Sequence, residues 1–193
     1  MSEKTYIVMD LEFNQSTTRF RSEKNGILLS NEIIEIGAVK LNEKLDQVDT
    51  FKSFIKPTAY PKINDMVYKL TSITTEMVWE GGDFNDVIKS FLDWCGEDYV
   101  FVTWSDNDIF ALEDNMLYHG MEIGCLPECY DIQAMFDDQI SMNERSMALN
   151  YAIWKFGIKV SGGELHDALY DAMNTSEVFK RLDISDGLGD YEV

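Results

Sequence analysis

Asp10 and Glu12 stand two residues apart in Tyr6-Ile7-Val8-Met9-Asp10-Leu11-Glu12-Phe13, a stretch that otherwise reads as a buried strand. Side chains at i and i+2 of a strand leave the same face, so the two carboxylates project side by side. Like charges so placed repel unless a cation lies between them, and hard divalent metals take carboxylate oxygens as ligands. The alternative is a strand running out into solvent, with both acids merely exposed. Two further acidic clusters bear on the choice. Asp106 and Asp108, in Trp104-Ser105-Asp106-Asn107-Asp108, follow an apolar strand and open a helix. Acids there either cap the helix or serve a ligand, because ligands of α/β sheets gather at the carboxyl ends of strands. His166 and Asp171 belong to Gly162-Gly163-Glu164-Leu165-His166-Asp167-Ala168-Leu169-Tyr170-Asp171-Ala172. They flank one point if His166 sits in the loop or first turn and Asp171 deeper in the helix. Otherwise the segment is an amphipathic helix whose acidic start suits its dipole. His119, beside Gly120, reads as a charge at a helix C-terminus.

The elements that position these groups follow from periodicity. Tyr6–Phe13, Asn31–Leu41 and Val48–Ile55 form an antiparallel meander, with Asn14–Ser30 as a polar loop punctuated by Gly26. Short helices are expected over Pro61–Leu70 and Thr74–Trp79, with Thr71-Ser72 as the cap of the second. A clearer amphipathic helix begins at Asp83, placing Phe84, Val87, Ile88, Phe91, Leu92 and Cys95 at helical spacing, and Gly96 ends it. Tyr99–Trp104 is a continuous apolar strand suited to a central position. A helix follows through Ile109, Leu112, Met116 and Leu117. A strand over Glu128–Ile132, helical segments at Gln133–Asp138 and Ser146–Phe156, and a last helix from Leu165 to Leu182 complete an α/β domain. Residues 1–182 form that single domain, and 183–193 are expected to be a loosely held acidic tail.

With 193 residues, 45% of them hydrophobic, the chain suits one compact domain rather than a disordered one. No apolar run approaches the ~20 residues that span a bilayer, and Met1-Ser2-Glu3-Lys4-Thr5 lacks the pattern of a signal peptide. No membrane partner is therefore expected. Cys95, Cys125 and Cys129 form no disulfide framework and lack a second Cys/His pair for zinc, which favours a reduced, cytoplasmic protein. The net charge of −19 counts against a protein that grips nucleic acid by its phosphates. Only the scattered Lys52, Lys56, Lys62 and Lys69 approach a basic series.

The order of the clusters settles more than any one of them. D-x-E on a first strand, W-x-x-x-D after a later strand and H-x-x-x-x-D on a last helix resemble the DEDDh 3′–5′ exonucleases, the DnaQ-like group of ribonuclease H-like folds. The resemblance runs from about Tyr6 to Leu182. Glu32-Ile33-Ile34-Glu35-Ile36-Gly37-Ala38 is similar to the family's second strand, Leu70-Thr71-Ser72-Ile73-Thr74 to its Leu-Thr-Gly-Ile-Thr, and Trp104-Ser105-Asp106-Asn107-Asp108 to its Trp-Gly-x-x-Asp. Serine replaces glycine in the last two. His166-Asp167-Ala168-Leu169-Tyr170-Asp171-Ala172 matches His-x-Ala-x-x-Asp-Ala, and the nearest subgroup looks like the Eri1/KapD-type exonucleases, which act mostly on RNA.

The resemblance implies a ribonuclease H-like three-layer fold: a mixed five-stranded sheet, antiparallel meander first and parallel strands after, flanked by helices. It selects Asp108 over Asp106. It implies that Asp10, Glu12, Asp108 and Asp171 hold two ions of Mg²⁺ or Mn²⁺, with Asp10 bridging them, and that His166 is the general base. A histidine's ordinary pKa near ~6.5 suits that role. The implied substrate is RNA or DNA with a free, single-stranded 3′ end, released as nucleoside 5′-monophosphates. Leu11, Phe13, Trp104 and Ser105 would lie on the substrate side; Phe13, Trp104 and Phe20 offer rings for base stacking. Bound divalent ions answer the charge objection by supplying the positive field locally. Two other functions fit the acids less fully: a non-catalytic ribonuclease H-like interaction module, and a metal-dependent phosphohydrolase of small nucleotides.

Overall fold

The computed structural model describes residues 4–141, 146–159, 163 and 165–193. Met1–Glu3, and Gly162 and Glu164 in the approach to the last cluster, lie outside the described residues. The strands are β1 (Thr5–Gln15), β2 (Ser22–Lys24), β3 (Ile27–Leu29), β4 (Asn31–Leu41), β5 (Gln47–Phe54), β6 (Tyr99–Thr103) and β7 (Cys129–Asp131). Five of them form one sheet in the order β5-β4-β1-β6-β7. β1 is central, antiparallel to β4 and parallel to β6, and β6 runs parallel to β7. This is the mixed α/β sheet expected from the meander and the later parallel strands.

The helices are α1 (Asp65–Thr71), α2 (Thr75–Trp79), α3 (Phe84–Cys95), α4 (Asn107–Tyr118), α5 (Ile132–Phe136), α6 (Leu149–Phe156) and α7 (Ala168–Phe179). Alternation along β1 divides the core in two. Ile7, Met9 and Leu11 pack with Phe84, Ile88 and Phe91 of α3 and Leu112 and Met116 of α4. Val8 points the other way and packs with Met135 and Phe136 of α5, Ala152 of α6 and Val178 and Phe179 of α7. Helices thus cover both faces, giving three layers. A bulge sharpens this arrangement. Glu12 pairs with Glu35 but Phe13 pairs with Ile33, which leaves Ile34 as the extra residue of β4. Ile34 then seats a third apolar cluster with Ile63, Ile73 and Val78, beneath α1 and α2.

Three expectations are corrected. Asn14–Ser30 is not wholly a loop, because β2 and β3 form a small hairpin around Asn25-Gly26, a pair suited to the left-handed turn they make (φ 53° and 80°). The cap of α2 is Thr74, whose hydroxyl accepts from the Met77 N–H; α1 is capped by Asn64. The segment after Asp183 is packed rather than loose: Leu188 is buried, the Val193 N–H donates to the Cys129 carbonyl at 2.9 Å, and the Tyr191 hydroxyl reaches Asp138 at 2.9 Å. Three side chains packed into the core, Ile184, Leu188 and Tyr191, and a strand edge at β7 outweigh the polar composition of this segment. No helix among the described residues is long and apolar enough to cross a membrane.

Both serines that stand where the exonuclease pattern has glycine adopt positive φ, 61° at Ser72 and 92° at Ser105. Ser72 is the C-cap of α1, where a left-handed residue lets its N–H return to the Tyr68 carbonyl at 2.8 Å. A side chain is strained there by about 1–2 kcal/mol, partly offset by the greater freedom of glycine when unfolded. Ser72→Gly is therefore expected to raise the melting temperature by ~2–4 °C. A thermal scan returning an unchanged or lower midpoint would contradict this account.

Candidate active site

The site forms on the second half of β1, beyond the carboxyl end of β6, where the sheet's face meets α7. Asp10 and Glu12 follow Val8 on that face, as the two-residue period requires. Opposite Asp10 on β4 is Gly37, and opposite Glu12 is Glu35. Asp108 enters from the first turn of α4 and is 6% exposed. Asp106 makes no side-chain capping bond to that helix, so capping does not account for it.

α7 supplies the remaining groups. Its close approach to the sheet depends on Gly37: a Cβ built there would lie 2.1 Å from the Leu169 nitrogen and 2.2 Å from the Ala168 carbonyl carbon. His166 sits just before the helix with φ 68°, and its backbone N–H donates to Asp171 Oδ2 at 2.8 Å. This is the loop-and-helix placement expected of the pair. Asp167 caps the helix by accepting from the Tyr170 N–H at 3.1 Å. Glu35, 1% exposed, accepts the Ala168 N–H at 3.0 Å and pairs with Lys52 Nζ at 3.2 Å. Lys52 also reaches Asp167 Oδ2 at 2.5 Å. Glu35 and Lys52 are absent from the sequence-based site. Glu35 hid within an apolar β run, although the antiparallel register that sets it against Glu12 was the signal that could have found it.

The electrostatics are those of crowded, buried acids. Burial, then Asp171, Glu35 and Asp108, push Glu12 up to about 8. Burial also pushes Asp108 up to about 8, against the lowering effect of the Leu11 backbone N–H. Asp10 is raised well above the usual carboxylate range by burial and by Asp108, Asp171, Glu12 and Glu35. Asp171 is raised by burial, partly countered by the His166 backbone N–H and imidazole. Such a cluster asks for cations.

A divalent metal fits these donors. Atoms of Glu12, His166 and Asp171 lie within 4.8 Å of one another, and Asp171 Oδ1 is buried without a hydrogen-bond partner among the described residues. Carboxylate oxygens are hard donors suited to Mg²⁺ or Mn²⁺.

Of the residues expected on the substrate side, Phe13 lines an open groove beside Glu12 with Met66, Leu70 and Thr71. The Leu11 side chain is buried, and the Trp104 ring packs on Phe136 at a centroid distance of 5.7 Å. Ser105 lies at the end of β6, its N–H donating to Asp131 Oδ1 at 3.2 Å. Phe20 is exposed, away from the core clusters. His119 is not a helix charge: it stacks on Phe84 at 4.3 Å, and burial lowers it to about 4, which leaves the ring neutral.

The family model for the RNase_T exonucleases matches residues 7–179. The chain belongs to this exonuclease family. It is 25% identical over 187 residues to the probable 3′–5′ exonuclease KapD of Bacillus subtilis, covering 95% of this chain and 86% of KapD. It is 28% identical over 189 residues to ERI1 exoribonuclease 2 of Xenopus laevis, covering 85% of this chain but only 27% of that longer protein. Among solved structures, the nuclease domain of 3′hExo, a DEDDh family member bound to rAMP, superposes with a TM-score of 0.79 at 21% identity, covering 95% of this chain and 93% of that one. The chain is thus an exonuclease of this family, and its fold is the one shared with the DEDDh nuclease domain of 3′hExo, as the cluster order implied.

Proposed function

We propose that this DEDDh exonuclease removes nucleotides one at a time from single-stranded 3′ ends of RNA or DNA. Asp10, Glu12, Asp108 and Asp171 hold two ions of Mg²⁺ or Mn²⁺, and His166 is the general base. The observation that carries the proposal is the meeting of Glu12, His166 and Asp171 donor atoms within 4.8 Å, with Asp108 close enough to Asp10 to raise its proton affinity. Asp10 faces the side-chain-free Gly37 and feels all three other site acids as well as Glu35, so it is among the residues that would hold the ions. When bound, the ions supply electrostatic stabilisation of the phosphoryl group and of the leaving oxygen. His166 accepts a proton from the attacking water at its imidazole nitrogen. Its backbone N–H, bonded to Asp171, keeps it at the edge of the acid cluster.

The groove beside Glu12 supports a seat for the terminal base, with Phe13, Met66 and Leu70 as apolar walls. A base held by stacking suits a chain of net charge −19, which has little to offer a phosphate backbone without its metals. A reduced, cytoplasmic setting is part of the proposal, supported by three free cysteines, two of them buried.

Incubation with Mn²⁺ and a 5′-labelled single-stranded RNA or DNA tests this reading. Stepwise 3′ shortening that requires the metal and disappears in His166→Ala is the expected result. A wild-type protein that shortens no oligonucleotide overturns the reading and favours the non-catalytic module.

A further inference from the structure

We propose that Glu35 and Lys52 are positioning residues, a clamp that seats the first turn of α7 so that His166 and Asp171 face Glu12. The inference rests on the exonuclease reading for its kinetic readout only. Glu35 is an unusual residue for its place: a carboxylate 1% exposed inside an antiparallel strand pair. A buried charge is costly unless paired and hydrogen-bonded, and an apolar side chain there would often be no less stable. Both oxygens of Glu35 are committed, and both commitments converge on the start of α7. Oε2 accepts the N–H of Ala168, the first residue of the helix, and Oε1 pairs with Lys52.

Lys52 passes the connection on. Extending from β5, it bonds Asp167 Oδ2, while Asp167 Oδ1 caps the Tyr170 N–H. Strands β4 and β5 thus grip one helix turn at two points, directly above the close contact at Gly37. His166 precedes Asp167 by one residue, and Asp171 lies one helical turn beyond it. Any slide of this turn along the sheet therefore moves both groups relative to Glu12. Misplacement of reacting groups by ~1 Å can cost ~100-fold in rate. The same geometry argues against Lys52 as a phosphate ligand, since its ammonium is already engaged by two carboxylates.

The test is a double-mutant cycle on the full chain with Mn²⁺ and a labelled single-stranded oligonucleotide, read alongside hydrogen exchange at the Ala168 amide. Lys52→Met and Glu35→Gln are each expected to lower kcat ~10-fold or more with KM within ~2-fold, and Lys52→Arg to recover most of the loss. The double variant should be no worse than the poorer single one, because both remove the same clamp. Exchange at Ala168 should quicken ~10-fold in both single variants. A rise in KM with unchanged kcat in Lys52→Met would overturn the proposal in favour of a direct phosphate contact. Losses that multiply in the double variant would overturn it too. Should the wild type prove inactive on every oligonucleotide, the exonuclease reading fails separately, and unchanged Ala168 exchange in both variants then rejects the clamp on its own.

Discussion

Asp108→Asn is expected to cut turnover on the order of 10³–10⁴-fold while making the metal-free protein more stable at pH 8. Function and stability pull apart here because the site is a set of buried, mutually repelling acids. Burial raises Asp108 from its ordinary 3.8 to about 8 and Glu12 from 4.5 to about 8. An acid raised in this way binds its proton more tightly folded than unfolded. Its contribution to stability is complete below the unfolded value and is lost as pH climbs from about 4 towards 8. For Asp108 the loss is on the order of 5 kcal/mol across that interval. Asparagine cannot ionise, so the variant escapes the loss and also relieves its neighbours. In EDTA, the wild-type melting temperature should fall between pH 5 and pH 8, and that of Asp108→Asn should fall less. Added Mn²⁺ should raise the wild-type midpoint more at pH 8 than at pH 5. A wild-type midpoint that stays level with pH in EDTA would refute this picture of the site.

Gly37→Ala is the second substitution with a large expected effect. The added methyl would lie 2.1 Å from a backbone nitrogen and 2.2 Å from a backbone carbon of α7, neither of which can swing aside as a side chain would. Overpacking of this kind costs ~1–3 kcal/mol or more, and relief requires α7 to lift from β4. That movement would break the Glu35–Ala168 bond and carry Asp171 away from Glu12. The expected result is a melting temperature lower by several degrees together with kcat reduced ~100-fold. A variant with wild-type midpoint and turnover would show that the helix does not depend on this contact. Loss of stability with turnover preserved at low temperature would show that the contact matters for folding but not for aim.

Much of this was legible in the residues because the governing rules are local. The two-residue period of a strand brought Asp10 and Glu12 to one face, and the helical period placed Phe84, Ile88 and Phe91 in one core. Cluster order then joined groups that no local rule could join. What escaped notice depends on partners far apart in the chain. Glu35 is defined by Lys52 and by Ala168, and neither pairing leaves a mark on the sequence around it. The packed C-terminal segment escaped for the same reason, since its bond to Cys129 is invisible from a run of Asp and Gly. The β2–β3 hairpin was available in Asn25-Gly26, but strands of three residues, Ser22-Glu23-Lys24 and Ile27-Leu28-Leu29, are too short for periodicity to register. His119 misled because its neighbours along the helix suggest a charge, while its neighbour in space is the Phe84 ring.

The arrangement of the acids also sets a timetable. Asp171 lies 161 residues after Asp10, and the helix that carries it packs on β4 and β1, among the earliest strands to be made. Chains emerge from the ribosome N-terminal end first, so Asp10, Glu12 and Asp108 are in place while α7 is still unborn. A part-made chain has three of the acids and neither the histidine nor the fourth. Under the proposed mechanism, cutting power therefore arrives with α7, the helix that completes the set with His166 and Asp171.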